Sequence, residues 1–316
     1  MSDAPRLTAA VLHERLLARL RLRHLKLVDA LALHSHLGRA AEAVHISQPA
    51  ATQMLRELEG LVGVPLFERH ARGMRITEAG RLLALHARMA INALRVAADS
   101  LVALAAQELR PLRIGAIEAA VASVLQPALP ALQAKHPALR LLIEEGNTER
   151  LTAGLRAGAF DLVLLRRPAR LDEGYRFVSL RTDRVVVIAG PRHPAAQRKR
   201  LRLRDLADSR WVLPPAHFAV REALDAAWAR EPQKPREHSV QTLSPQLLRS
   251  ILTQPDVVAP VPRTVLDRID RSAVVELKLR MHAPIEPLGM HYRADNAVEP
   301  LSVLIDFLSA RADLRD

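Results

Sequence analysis

The sequence predicts an α/β protein that opens with a small all-α module, and three observations carry that prediction. Several short helical patterns follow in quick succession over residues 22–76, and one long unbroken helical pattern fills 77–109. From Leu112 the texture changes, and short β-type runs alternate with helical ones, the signature of βαβ units around a parallel sheet. A chain of 316 residues has room for a small module and a larger body with its own core.

Composition narrows the classes. Half of the residues are hydrophobic and a quarter charged, a globular balance. The formal net charge of +12 favours a polyanion, either nucleic acid or an anionic membrane, although an Arg-rich coding bias gives the same surplus. With no cysteine, disulfides, thiolate metal sites and Cys nucleophiles are excluded. The first residues lack a secretory pattern, and no uninterrupted run of about 18 apolar residues exists. A cytoplasmic protein without a membrane span is the expectation.

Residues 7–20 are expected to form an extra helix, with Thr8 as N-cap and Val11, Leu12, Leu16 and Leu20 on one side. Within 37–61, Ala40, Ala41 and Val44 make the apolar stripe of a short helix, and His45 and Ile46 make a turn. Ser47 is a natural N-cap, and Pro49 falls in the first turn of the next helix, where a missing N–H costs little. Ala51, Leu55, Leu58 and Val62 then form a buried face, with Gln48, Thr52, Gln53 and Arg56 opposite. Two short helices joined by a tight turn, the second polar outside, read as a helix-turn-helix. Gln suits bidentate bonding to adenine, while Ser47 and Thr52 suit phosphates. An ordinary helical hairpin with a solvated polar face satisfies the same spacing.

Residues 66–80, LFERHARGMRITEAG, place Arg69, Arg72 and Arg75 around a Gly73 turn. This reads as a basic wing with Arg72 at its tip, or as a solvated charged hairpin. Thr77 can cap the long helix, where Gly80 is tolerated. Along it Leu83, Ala87, Ala90, Leu94, Ala97, Leu101 and Leu104 are spaced 4, 3, 4, 3, 4, 3. That is a heptad seam on a helix roughly 45–50 Å long, suited to a second copy of the chain. Packing on the chain's own core is the alternative.

The stretch RAAEAVHISQPAATQMLRELEGLVGVPLFER, with RITEAG after it, resembles the DNA-binding domain of LysR-type transcriptional regulators, without gaps from about Leu22 to Gly80. The resemblance implies a winged helix-turn-helix over 22–80 after an extension at 1–21, a linker and dimerisation helix over 77–109, and an effector domain over 112–316. That domain would comprise two α/β lobes like a periplasmic solute-binding protein, lobe 1 at about 112–179 and 287–316 and lobe 2 at about 180–286. The implied function is regulated, sequence-specific binding of double-stranded DNA. The implied assembly is a homodimer that pairs into a homotetramer, with RNA polymerase as a candidate partner. This chain departs from the family at His36 and Gly38, where a Ser or Thr pair is usual, and at Gln53, where Arg or Lys is frequent. It departs again at Ala119, a frequent Ser or Thr, and at Gln254-Pro255-Asp256, usually a Gly-rich turn.

Ligands of open α/β sheets sit beyond the carboxyl ends of strands. Those positions give Glu118, Ala119, Asn147, Thr148, Arg166, His217, Phe218, Arg221, Thr242 and Ser244 as effector contacts, or as ordinary caps and solvated groups. The arginines suit a small organic acid, with Arg263 a further candidate, whereas Glu118 opposes one unless paired. The basic run Arg198, Lys199, Arg200, Arg202 and Arg204 reads as a solvated loop. No cofactor or metal is expected, and catalysis is not: GxSxG, HExxH, Walker and GxGxxG motifs are absent, and the thirteen His lack ligand spacing. An architectural DNA-binding protein would not need the large C-terminal body.

Overall fold

A computed structural model describes residues 8–70, 73–216, 218–266, 269, 272–295 and 299–312. The chain divides into two compact units, Met1–Arg110 with Ala153–Phe160, and Pro111–Thr152 with Asp161–Asp316.

The first unit begins with α1 (Ala9–Arg19), capped by the Thr8 hydroxyl, which accepts from Val11 N–H. None of the α1 side chains is fully buried. Its Arg15 donates to the Leu61 carbonyl at 3.4 Å. Then come α2 (Leu22–His34), α3 (Leu37–Ala43) and α4 (Gln48–Val62). Leu27, Val28 and Leu31 of α2, Ala40 and Ala41 of α3, and Ala51, Leu55 and Leu58 of α4 build one core. Val44 and Val62 sit at its edge, and Met54 and Leu61 of α4 are buried. His45 takes a left-handed conformation (φ 58°) to make the turn. The hairpin β1 (Phe67–His70) and β2 (Gly73–Ile76) follows, with Glu68 opposite Arg75.

Two glycines are needed for close approach. Gly73 (φ 134°) lies where an added Cβ would stand 2.6 Å from the Ser35 carbonyl oxygen, which accepts from Met74 N–H. Gly80 lies where a Cβ would stand 2.1 Å from the Leu66 carbonyl oxygen. That carbonyl accepts from Thr77, whose hydroxyl also caps the helix at Gly80 N–H. Gly80 is therefore required, beyond the tolerance that the sequence suggests.

The long helix α5 (Glu78–Ala106) turns its first half differently from the seam expected. Ala87 is fully buried and Leu83 packs on the unit's own core, so these two positions are occupied within the chain. The exposed apolar line is Leu82 (61% exposed), Leu85 and Ala93, continuing through Ala97, Leu101 (67%) and Leu104 (75%). Ala90 and Leu94 (54%) flank it. Among the described residues α5 alone is long and apolar enough by composition to cross a membrane. Its polar side, however, is engaged: Arg88 pairs with Asp29 of α2 at 2.7 Å and Arg95 with Asp99 at 3.5 Å.

The second unit contains β3 (Leu112–Ala116), α6 (Glu118–Ala120) and α7 (Gln126–Lys135), joined by a π-helical segment at Val121–Leu125. Next are β4 (Leu141–Glu145), α8 (Thr148–Arg156), which begins in this unit, β5 (Leu162–Arg166) and β6 (Tyr175–Ala189). They are followed by β7 (Arg210–Trp211), α9 (Ala219–Trp228), β8 (Arg236–Glu237), α10 (Pro245–Ile251), β9 (Val257–Pro262) and α11 (Arg263–Leu266). The chain closes with β10 (Val275–Glu276), β11 (Pro284–Arg293) and α12 (Glu299–Ala312). The strand order is β4-β3-β5-β11-β6-β9-β7-β8, with β10 also on β6.

The expectation of a parallel sheet holds only in part. β3 is parallel to β4 and β5, and β7 to β8 and β9, but β11 runs antiparallel to both β5 and β6. β6 and β11 are long enough to serve two lobes. Their Tyr175–Arg181 and Leu288–Arg293 ends lie against the lobe 1 core of β3, β5, α7 and α12. The Val185–Ala189 end of β6 pairs with β9 in lobe 2. Lobe 2 has a core on each face of its sheet, one of them around Trp211 and Trp228, whose rings meet edge-on at 5.5 Å.

Candidate nucleic-acid interface and effector face

α4 is built to present its polar side. The Ser47 hydroxyl accepts from Ala50 N–H at 3.3 Å and Pro49 occupies the first turn, so the helix starts cleanly at Gln48. Gln48, Gln53 and Arg56 are exposed and Thr52 half-buried, opposite the buried Ala51, Leu55 and Leu58. The Thr52 hydroxyl donates to the Gln48 carbonyl at 3.0 Å, which leaves its lone pairs outward. Gln53 Nε2 donates to Glu57 Oε1 at 3.1 Å. Arg69 is exposed on β1, whereas Arg75 forks over Glu68 across the hairpin. That partner reduces what Arg75 can offer a phosphate. Arg72 lies outside the described residues.

Two histidines have roles that the sequence does not announce. His36 is the N-cap of α3, its Nδ1 accepting from Gly38 and Arg39 N–H, which leaves its proton on Nε2. A ring nitrogen thus caps the helix here in place of a hydroxyl. His24, buried in α2, accepts from Arg21 N–H through Nδ1 and stands 3.8 Å from Glu57. Burial and then the Arg23 charge lower its pKa, against the opposing pull of Glu57. Of these contacts, only the i, i+4 spacing of Gln53 and Glu57 is a signal legible in the sequence.

The effector residues fall into two groups, one on each lobe. Glu118 and Ala119 follow β3, and Asn147 and Thr148 follow the adjacent β4, where Gly146 N–H reaches the Ala116 carbonyl. Phe218 is the N-cap of α9, and Thr242 N–H bonds Leu213 beyond β7. His217 lies outside the described residues. Several of these groups already have local work. Asn147 Oδ1 accepts from Arg150 N–H at 2.8 Å, Thr242 Oγ1 from Ser244 N–H at 3.0 Å, and Ser244 Oγ donates to Gln246.

Each of the candidate arginines has an acidic partner within the chain. Arg166 pairs with Asp183 at 2.8 Å and donates to the Glu286 carbonyl. Asp183 is fully enclosed, accepting also from Thr264 Oγ1 at 2.7 Å and from the N–H groups of Thr264 and Arg184. This buried network binds β5, β6 and α11 together and gives Arg166 a structural role. Arg221 is shared by Asp225 and Glu237, at 2.9 and 3.2 Å, and Arg263 lies 3.8 Å from Glu276. Glu118 meets none of the three. Local desolvation, and then the Glu145 carboxylate, raise its pKa. Among the described residues no group of three or more His, Asp and Glu stands where a metal ion could be held.

The π-helical segment runs up to a proline. In a regular helix the Ser123 carbonyl would accept from residue 127, which is proline. Arg181 of β6 donates to it instead, at 3.1 Å. The loop after β3 is thereby tied to the strand that leads into lobe 2.

Two family models match the chain. Residues 22–81 match a bacterial regulatory helix-turn-helix protein of the lysR family, and residues 105–313 the LysR substrate binding domain. The chain belongs to the LysR family: it is a DNA-binding transcriptional regulator with a helix-turn-helix domain and a substrate-binding domain. It is 29% identical to the HTH-type transcriptional regulator GbpR of Azospirillum brasilense over 90% of this chain and 84% of that one. It is 30% identical to the uncharacterized HTH-type transcriptional regulator YdcI of Escherichia coli K12, over 88% and 91%. In fold it is similar to CbnR, a LysR family transcriptional regulator (TM-score 0.67, 19% identity, 93% of this chain and 99% of that one). A full-length OxyR variant of Pseudomonas aeruginosa is also similar (TM-score 0.63, 23% identity, 94% and 95%). The relatives are regulators of transcription, and the chain is not an enzyme.

Proposed function

We propose that this regulator acts in the cytoplasm as a homodimer that pairs into a tetramer, reading double-stranded DNA with α4 and the wing while a small molecule sets its activity. The observation that carries the reading is the exposed side of α4, with Gln48, Thr52, Gln53 and Arg56 presented by a properly capped helix. The exposed apolar line of α5 supports pairing of two copies, which tethers two reading heads on one operator. Contact with RNA polymerase beside the bound site is part of the same proposal. A solved CbnR structure, similar in fold at 20% identity, is a complex with its target DNA.

The effector we propose is a small polar molecule held at the strand ends of the two lobes. An organic acid fits less well than the sequence alone suggests. Arg166, Arg221 and Arg263 already face carboxylates, and Glu118 lies in the field of Glu145. Uncharged or cationic compounds suit the site better. The test is a map of the protein's genomic sites, followed by thermal-shift screening with matched acidic, neutral and basic metabolites. Stabilisation should grow with concentration over Kd for neutral or basic compounds. If only acids stabilise, the charge argument fails. If the protein binds no genomic site, the DNA-reading assignment fails.

A further inference from the structure

A glutamine amide reads DNA well only when its two ends are fixed, because turning it over exchanges a donor for an acceptor. Gln53 carries the constraint within its own helix. Its partner, Glu57 Oε1 at 3.1 Å, belongs to a carboxylate, which accepts hydrogen bonds and donates none. The amide must therefore point its NH2 group at Glu57, leaving Oε1 and the second N–H free for a base. That pair matches the adenine edge in the major groove, where N6 donates and N7 accepts.

Glu57 is itself half-exposed and on a long side chain, so it needs backing to serve as a fixed post. His24 is behind it. Because His24 Nδ1 accepts from Arg21 N–H, the ring proton sits on Nε2. That atom is buried without a hydrogen-bond partner and stands 3.8 Å from Glu57 Oε2. One carboxylate oxygen thus holds Gln53 while the other lies in the field of a buried N–H from α2.

We propose that Glu57 is a specificity-determining positioning residue: with His24 behind it, it fixes the Gln53 amide in the orientation that reads adenine. The inference rests on the reading that α4 enters the major groove, and the experiment separates the two. The full-length protein and its Gln53→Ala, Glu57→Ala and Glu57→Gln variants are each used to select from a randomised duplex DNA library, and circular dichroism melts confirm that each folds. Wild type should show a motif with one adenine position that Gln53→Ala erases. Glu57→Ala should weaken the preference there about tenfold while leaving the other positions intact. Glu57→Gln, whose amide donates as well as accepts and so no longer forces one Gln53 orientation, should also weaken it, by less than Glu57→Ala. A folded Glu57→Ala variant with an unchanged motif overturns the positioning role, as does a Glu57→Gln variant that keeps the full wild-type preference. Loss of a cytosine position in both Glu57 variants but not in Gln53→Ala would overturn it too, making Glu57 itself the base reader. If Gln53→Ala leaves the motif unchanged, the underlying assignment of Gln53 fails instead.

Discussion

Gly80, His193 and the three arginines show how much a single position can conceal from the sequence. Gly80 reads as a tolerated residue near a helix start, because nothing local announces that the Leu66 carbonyl lies against it. Gly80→Ala should destabilise the first unit by about 1–3 kcal/mol, measured by denaturant melts, since the added methyl meets backbone that cannot rotate away. His193 is buried, with Nδ1 accepting from Ala195 N–H and Nε2 beside the Ser209 hydroxyl at 3.2 Å. Burial lowers its pKa below the usual 6.5, against the Asp256 charge. The unfolded chain therefore takes up this proton first as pH falls. The contribution is fully present above about pH 6.5 and is lost progressively below it. In melts against pH, this acid limb should flatten in His193→Asn, whose amide oxygen can still accept from Ala195. Arg166 is the opposite case. Its residue type is right for binding an acid, but its partner Asp183 is 17 positions away and invisible to local pattern.

Elements are legible where one period rules them. The helix-turn-helix can be read because Ala40, Ala41, Ala51, Leu55 and Leu58 obey helical spacing and Ser47 and Pro49 mark a start. β11 escapes a reading by pattern because Pro284, Pro287 and Gly289 punctuate it. The structure accommodates them with register shifts between Ile285 and Leu288 and again at Gly289. The first half of β6 is equally hidden, because polar residues interrupt it. For α5 the heptad positions of the second half are left exposed, whereas Leu83 and Ala87 are taken up by the chain's own core. Periodicity identifies an apolar stripe, but which side the chain's own core claims depends on α2. Leu94→Glu and Leu101→Glu should therefore each weaken association measured by sedimentation equilibrium, because a charge beside or on the apolar line must be desolvated. Operator affinity should fall steeply and half-site affinity little. A folded double variant that stays dimeric would remove α5 from the pairing mechanism.

Across the whole molecule, charge and architecture divide the work. The surplus of 46 Lys and Arg over 34 Asp and Glu favours a polyanion without specifying where it binds. If Arg56 and Arg69 each neutralise a phosphate, replacing either by Ala should flatten the slope of log K against log salt by about 0.9. Titrations at several salt concentrations measure this, and an unchanged slope would return that arginine to solvent. The effector domain's wiring has a mechanical consequence of its own. Its two lobes are strapped by a pair of neighbouring strands, β6 and β11, that run through without a break. Such a strap bends readily across its flat face and resists shearing or splaying within its plane, so it grants the lobes one soft direction of travel. The register faults around Pro287, between Ile285 and Leu288 and again at Gly289, fall inside that strap, where a missing N–H leaves fewer cross-strand ties to stretch. Whatever settles between the lobes therefore works against a leaf spring whose weakest point proline has already set.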